Sequence, residues 1–135
     1  MLEALKFPHY KQSEVEIAKR FIATNTLVGE YKTDIKLSIT ETERDKLEPE
    51  NYRKMWAALK AKRIDMTCET DSNLWIIEIK DLLLPSAIGQ LMLYRDMYAR
   101  QYKPGKEVRL IIVSGHDDYD VRKFAESQGI RVVII

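Results

Sequence analysis

The chain has 135 residues, of which 45% are hydrophobic and 32% are charged, and its net charge is +1. This length and composition predict one globular domain, residues 1–135, and exclude a disordered or low-complexity chain. The near-zero net charge gives no overall basic excess of the kind that marks nucleic-acid partners, although a local basic patch is compatible with it.

Cysteine content and hydropathy restrict the cellular compartment. The single cysteine, Cys68, excludes an internal disulfide and favours a reducing compartment. No stretch approaches the ~18 apolar residues of a membrane span, and the N-terminal sequence lacks a signal-peptide pattern. The sequence therefore predicts a soluble, cytoplasmic protein without a membrane partner.

The first half of the chain alternates helical and strand patterns. Residues 1–12 are predicted to form a lead-in, and a helix follows over residues 13–25. Residues 28–39 alternate apolar and polar side chains, which favours a half-buried strand. A charged connector then leads to a second helix over residues 49–62.

The second half of the chain continues with shorter connections. Two strands, about 62–69 and 74–80, are joined by the turn sequence TDSN. A long helix is predicted over residues 85–102, and a strand–helix–strand pattern fills residues 107–135. Strands that alternate with helices in this way predict an α/β fold with a mixed central β-sheet flanked by helices.

The hairpin between the two central strands carries charges where a strand interior normally avoids them. A turn centred between Asp71 and Ser72 sets Asp65 opposite Glu78, with both side chains on the same face. Lys80 follows Glu78 by two positions and points to that face as well. The other face of the hairpin is predicted to be core: Ile64, Met66, Cys68, Trp75, Ile77 and Ile79.

Two facing carboxylates repel each other unless a cation lies between them. A small set of oxygen ligands suits Mg²⁺ or Mn²⁺, which keep bound waters and take phosphate oxygens as further ligands. Lys80 beside such an ion would orient the attacking water. The pattern predicts metal-assisted hydrolysis of a phosphodiester. The alternative is a salt-bridged surface hairpin, in which Asp65 pairs with Lys80 or Arg63.

An aspartate on one strand and Glu-x-Lys on the next resemble the hallmark of the PD-(D/E)xK nuclease superfamily. In this sequence the matching residues are Asp65 and then Glu78-Ile79-Lys80. Ile64 stands where that superfamily often has a proline before the aspartate. The resemblance implies that Asp65, Glu78 and the backbone carbonyl of Ile79 bind Mg²⁺, and that Lys80 is catalytic.

The same resemblance implies the architecture of the chain. It predicts a restriction-endonuclease-like core with the element order αβββαβαβ over about residues 13–135. The superfamily core does not account for residues 27–62, which are therefore a less certain elaboration of the domain.

The helix after the hairpin adds a second motif. Gln90 and Tyr94 are four residues apart and share a helix face. A glutamine amide and a phenol can both hydrogen-bond a phosphate or a bound water. Gln-x-x-x-Tyr at this place resembles the RecB-like branch of the superfamily, which implies that both residues serve the active site. The alternative is a core tyrosine beside a partly exposed glutamine.

An acidic residue from the first helix would support such a site. Glu14 shares a helix face with Ile17 and Phe21 and so points towards the core. Glu16 can instead form a capping box with Ser13, which gives it a structural explanation. We predict Glu14 as a supporting metal or water ligand. The alternative is a first-turn glutamate favoured by the helix dipole.

Basic residues on both sides of the motifs suit a phosphate backbone. Lys62 and Arg63 precede the site and Arg95 follows it, and we predict these three as DNA contacts. Lys32 and Lys36 on the earlier strand could extend a phosphate track. For each residue singly, a solvated charged surface is the alternative.

These motifs together predict a Mg²⁺-dependent deoxyribonuclease that hydrolyses phosphodiester bonds by water attack. Within this class the alternative is a resolvase of branched DNA, such as Holliday junctions, that acts as a homodimer, because symmetry lets small domains cut two strands. The alternative from another class is a catalytically inert, nuclease-like subunit for DNA binding or assembly of a larger nucleoprotein complex. The complete acid, acid, lysine set argues against that loss of activity.

Overall fold

The computed structural model describes residues 5–135. Its helices and strands, in chain order, are α1 (Gln12–Ala23), β1 (Glu30–Leu37), α2 (Glu50–Lys60), β2 (Lys62–Glu69), β3 (Asn73–Leu82), α3 (Pro85–Tyr102), β4 (Glu107–His116), α4 (Tyr119–Ser127) and β5 (Ile130–Ile134). A short 3-10 turn, Asp45–Leu47, precedes α2. The elements follow the predicted order, with α2 inserted between the first two strands.

The strands form one five-stranded sheet in the order β1-β2-β3-β4-β5. The β1–β2 and β2–β3 pairs are antiparallel, whereas the β3–β4 and β4–β5 pairs are parallel. This confirms the predicted α/β class with a mixed sheet and flanking helices. β1 pairs with β2 from Glu30↔Glu69 to Leu37↔Lys62, so this part of residues 27–62 belongs to the sheet itself.

Helices cover both faces of the sheet, because apolar side chains alternate to both sides of the central strands. The α1 side packs Ile17 and Phe21 against a first set of sheet residues: Met66, Cys68, Trp75, Ile77 and Ile79. On the α3 side, Leu91 of α3 and Ala125 of α4 pack against a second set of sheet residues: Ile64, Ile76, Leu110 and Ile112. A charged side chain that points from the central strands into either of these two layers therefore has apolar neighbours.

The prediction that Ile64 shares a face with Met66 is wrong, since Ile64 joins the α3-side core and Met66 the α1-side core. The reason lies in β1, where Asp34 adopts a left-handed backbone conformation with φ 55°. The ladder pairs Thr33 with Met66 and Ile35 with Ile64 on either side of this irregular position. Both strands change orientation at this step, which strict alternation does not foresee.

The α2 helix turns its polar side towards the protein. Arg53 forms a salt bridge to Glu41 at 2.7 Å, and Lys60 forms one to Asp45. The apolar residues at positions i, i+3, i+4 and i+7 are consequently left in solvent, where they are 40–69% exposed. We call these four residues the α2 stripe: Tyr52, Met55, Trp56 and Leu59.

Two glycines are expected to respond in opposite ways to alanine. A Cβ on Gly29 would lie 2.0 Å from the carbonyl oxygen of Glu69, whereas a Cβ on Gly89, in α3, meets nothing within 4 Å. We expect Gly29→Ala to lower the free energy of unfolding by about 2–3 kcal/mol, because the backbone of β2 must move. Gly89→Ala should raise it by about 0.5–1 kcal/mol. Urea unfolding of both variants measures these changes, and equal midpoints would contradict the close approach at Gly29.

Candidate active site at the hairpin edge

The hairpin register brings Asp65 and Glu78 together as predicted. β2 and β3 pair through Met66↔Ile77, Thr67↔Ile76, Cys68↔Trp75 and Glu69↔Leu74, and the next step of this register sets Asp65 opposite Glu78. At that step the backbone ladder stops, and the Ile79 N–H donates to Oδ2 of Asp65 at 2.9 Å instead. The Asp65 carboxylate is thus held in place by the neighbouring strand.

Glu78 is the buried member of the pair, with only 3% of its surface exposed. Burial raises the pKa of its carboxyl to about 9, and the hydrogen bond and negative charge of Asp65 add to this effect. The Lys80 charge opposes the shift but does not cancel it. Because Glu78 is buried, the alternative of a surface hairpin with solvated salt bridges is wrong.

Lys80 completes the group that the motif predicts. Its Nζ lies 4.0 Å from Oε2 of Glu78, and its side chain is 25% exposed. The amine therefore lies next to Glu78 on a side chain that is partly open to solvent. Such a position lets it contact both an incoming anion and the water beside it.

Tyr10 joins the site although no sequence pattern assigned it a role. Its hydroxyl donates to the backbone carbonyl of Asp65, 55 positions further along the chain. Burial raises the Tyr10 pKa, and so do the charges of Asp65, Asp34, Glu78 and Glu14, in that order. Tyr10 therefore lies within electrostatic range of four carboxyl groups and contacts the backbone of one of them, Asp65. The 1–12 lead-in offers no periodic signal that would have revealed it.

Glu14 takes the capping position that the sequence assigned to Glu16. The helix begins one residue earlier than expected, so Oε1 of Glu14 accepts the Lys11 N–H at 3.1 Å and caps the helix. Glu16 instead accepts a hydrogen bond from the Gln12 side chain at 3.1 Å. The Ser13–Glu16 capping box is therefore wrong. Glu14 lies within electrostatic range of Glu78, because its charge is one of the smaller causes of the raised pKa of that carboxyl.

Gln90 and Tyr94 share one face of α3, and Tyr94 lies within electrostatic range of the carboxyl pair. Tyr94 is 8% exposed. Its pKa is raised first by burial and then by the charges of Glu78 and Asp65. Oε1 of Gln90 is buried without a hydrogen-bond partner among the described residues. An unpartnered buried amide oxygen is costly in a finished core, so its burial here suits a group that meets a ligand or water.

The three predicted DNA contacts occupy different surroundings. Arg63 is exposed and pairs across the ladder with Lys36. The Lys62 ammonium donates to the carbonyl of Lys60 at 2.8 Å and is therefore engaged within the chain. Arg95 is half-buried on α3, directly after Tyr94. Of the three, Arg63 is the most accessible to a phosphate backbone.

The carboxyl pair fits a divalent cation by the chemistry of its donors. One of two carboxyl groups in contact keeps a proton at neutral pH, and a cation can replace that proton while both groups ionise. Residues 5–135 contain no group of three or more His, Cys, Asp or Glu side chains that could hold a metal ion. Any ion bound here would therefore depend on Asp65 and Glu78, with its remaining ligands from backbone, water or phosphate.

Comparison of the chain with protein-family models, curated proteins and solved structures finds no match. The resemblance to the nuclease superfamily thus rests on the motif residues and their arrangement alone. Within the described part of the chain, no helix combines the length and apolar character that crossing a lipid bilayer requires.

Proposed function

We propose that the protein is a metal-dependent nuclease that hydrolyses phosphodiester bonds in DNA. The observation that carries this proposal is the contact of two carboxyl groups, Asp65 and Glu78, beside the ammonium group of Lys80 at 4.0 Å from Glu78. Structural ion pairs seldom include a second, buried carboxyl group that must stay protonated at neutral pH, because burying it costs stability. A site that binds a cation and an anionic substrate accounts for it.

Each side chain has a role that follows from its position. Asp65 and Glu78 would hold Mg²⁺, with the Ile79 carbonyl as a further ligand. Bound Mg²⁺ lowers the pKa of water and neutralises negative charge on phosphate. Lys80 orients the water that attacks phosphorus and stabilises the charge that grows on the phosphate oxygens. The water oxygen forms a new bond to phosphorus while the P–O bond to the leaving sugar oxygen breaks. The attacking water gives its proton to solvent, and the leaving oxygen takes up a proton from solvent.

The α3 residues act on the substrate rather than on the water. The Tyr94 phenol stays protonated, because its pKa is raised, and can donate a hydrogen bond to a phosphate oxygen. The Gln90 amide can donate to the same phosphate while its unpartnered Oε1 accepts from a nearby water. Together they hold the phosphodiester over the carboxyl pair.

A digestion panel tests this function directly. Linear, circular, single-stranded and four-way-junction DNA are incubated with the purified protein in Mg²⁺, Mn²⁺ or EDTA. We expect cleavage of at least one form in either metal and none in EDTA. Binding of DNA without cleavage of any form would overturn the enzyme and favour the inert binding or assembly subunit.

The α2 stripe favours the second candidate, a homodimeric resolvase of branched DNA. Its four exposed side chains offer on the order of 500 Å² of apolar surface, more than half of the ~800 Å² that each partner gives to a standard interface. The spacing is that of a helix–helix seam, and two copies related by a two-fold axis would bury the same patch. A second copy of this chain is therefore the occupant that we propose for the stripe.

Leu59→Glu is expected to convert such a dimer into a monomer. Leu59 is 69% exposed, so the substitution leaves the fold intact but places a charge in the seam. Light scattering coupled to gel filtration measures the mass. The control is Lys54→Glu, because Lys54 lies on the opposite side of α2 and pairs only with Glu50. A wild-type mass of one chain would exclude the dimer, and with it the resolvase that depends on symmetry.

A further inference from the structure

A groove runs beside the candidate active site between the N-terminal segment, β1 and α3. Its volume is about 550 Å³. Its lining includes three lysines and, from α3, two tyrosines: Lys6, Lys32, Lys36, Tyr98 and Tyr102. Thr67 of β2 also contributes to the lining. The sequence predicted a role for Lys32 and Lys36 but gave no indication that two aromatic rings face them.

The groove is electropositive. It contains three lysines against one acidic residue, Asp34. Lys32 and Lys36 are exposed on β1, and Lys6 is exposed on the segment that crosses it. Among residues 5–135, no salt bridge involves any of these three ammonium groups. Ammonium groups along a groove that form no salt bridge within this part of the chain are available to successive phosphates.

The aromatic pair supplies a stacking surface. The rings of Tyr98 and Tyr102 stack with their centroids 4.5 Å apart and an angle of 25° between their planes. The Tyr102 hydroxyl donates to the Lys36 carbonyl at 2.9 Å, which fixes its ring against β1. Tyr102 is nevertheless 45% exposed, so its outer surface is open to a flat ligand. Every nucleic-acid base has a flat π-face, which makes such a platform tolerant of sequence.

The groove leads to the carboxyl pair. Tyr94, Tyr98 and Tyr102 follow one another at intervals of one helical turn along α3, about 6 Å apart. The charges of Glu78 and Asp65 contribute to the raised pKa of Tyr94, and Tyr98 and Tyr102 line the groove. On the floor, Thr67 lies two positions after Asp65 in β2. A strand lying in the groove would therefore reach the candidate active site at its end.

We propose that this groove binds single-stranded nucleic acid, with phosphates on Lys6, Lys32 and Lys36 and a base stacked on Tyr102. This inference rests on the proposed nuclease function for its purpose, since it delivers one strand to the carboxyl pair. A rigid duplex presents its bases stacked on each other, so it cannot use the tyrosine surface. We therefore expect the protein to prefer DNA that carries single-stranded tails, flaps or ends.

Binding is tested without cleavage, so that it does not depend on the enzyme being active. The full chain carrying Glu78→Gln is titrated in EDTA against labelled single-stranded DNA, single-stranded RNA and blunt duplex DNA, with fluorescence anisotropy as the readout. We expect either single strand to bind at least about 10-fold more tightly than the duplex, and the ratio of DNA to RNA affinity to identify the natural strand. Equal affinity for the duplex would overturn the proposal, and so would no binding at all.

Variants locate the binding in the groove. We expect Lys32→Ala with Lys36→Ala to weaken single-strand binding about 10-fold or more and to reduce the salt dependence by about 1.4 in log–log slope, for two lost phosphate contacts. Tyr102→Ala should weaken it about 5- to 100-fold, whereas Tyr102→Phe, which keeps the ring and loses only the hydrogen bond to the Lys36 carbonyl, should weaken it less than about 5-fold. The control, Lys54→Ala with Lys123→Ala, removes the same charge from exposed positions outside the groove.

The outcomes separate this inference from the proposed function. Groove variants that bind single strands like the control would overturn the proposed binding site in the groove, even if wild-type protein cleaves DNA. Weakened binding in the variants would support the groove even if wild-type protein cleaves nothing, in which case only the nuclease is lost.

Discussion

Lys80→Ala is expected to lower Mg²⁺-dependent DNA cleavage by about 10²- to 10⁴-fold and to leave the fold unchanged. The Lys80 Nζ lies 4.0 Å from Oε2 of Glu78 and the side chain is 25% exposed, so its truncation removes the positive charge beside the carboxyl pair. Initial rates on a labelled substrate measure the loss, and circular dichroism checks the fold. Lys80→Arg keeps the charge but not the compact amine, and we expect it to restore only part of the rate.

The matched control for this prediction is Lys54→Ala. Lys54 is 77% exposed and pairs with Glu50 in the next turn of α2, away from the carboxyl pair. It should cleave at the wild-type rate. A Lys80→Ala variant that also cleaves at the wild-type rate would remove Lys80 from the chemistry and leave its proximity to Glu78 as an ordinary ion pair.

The hairpin was predictable because two local signals agree about it. The TDSN turn fixes the register, so pairs such as Met66↔Ile77 follow from the sequence, and apolar alternation fixes the face of the residues from Met66 onwards but not that of Ile64. The Gln90–Tyr94 face of α3 follows from helical periodicity in the same way. The resulting group of Asp65, Glu78 and Lys80 needed no information from distant parts of the chain.

The parts that the sequence did not predict depend on contacts between distant segments. Tyr10 reaches Asp65 across 55 positions, and nothing in its own neighbourhood marks it. Asp34 has φ 55°, a conformation that no alternation pattern encodes, and it redirects Ile64 to the α3 side. The stacking of Tyr98 on Tyr102 against β1 likewise required the position of α3 over the sheet. Local periodicity therefore predicts the candidate catalytic group, whereas its surroundings depend on tertiary packing.

The same carboxyl pair is expected to make the metal-free protein less stable as pH rises. The ordinary pKa of a glutamate is 4.5, and burial, the hydrogen bond and charge of Asp65, and the charge of Glu14 raise that of Glu78 to about 9 despite Lys80. Between these values the folded state binds more protons than the unfolded state. The stabilisation is fully present below about pH 4.5 and is lost as pH rises through about 9, at up to about 1.4 kcal/mol per pH unit.

Glu78→Gln tests this directly, because glutamine resembles the protonated side chain and can still donate to Asp65. In EDTA at pH 8 we expect the variant to be more stable than wild type by about 1–3 kcal/mol, which raises Tm by about 5–10 °C. At pH 4.5 the two proteins should melt together. Glu107→Gln, at an exposed position, is the control and should change Tm at neither pH.

Divalent metal should reverse this order of stability. With Mg²⁺ present, both carboxyl groups of the wild type can ionise against the cation, so its Tm at pH 8 should rise with metal concentration. Glu78→Gln should show little of this rise and should not cleave DNA, since it has lost one charged ligand. The site would thus reduce the stability of the metal-free domain in exchange for function. A variant that melts below wild type at pH 8 in EDTA would contradict the buried, proton-sharing pair on which the proposed metal site depends.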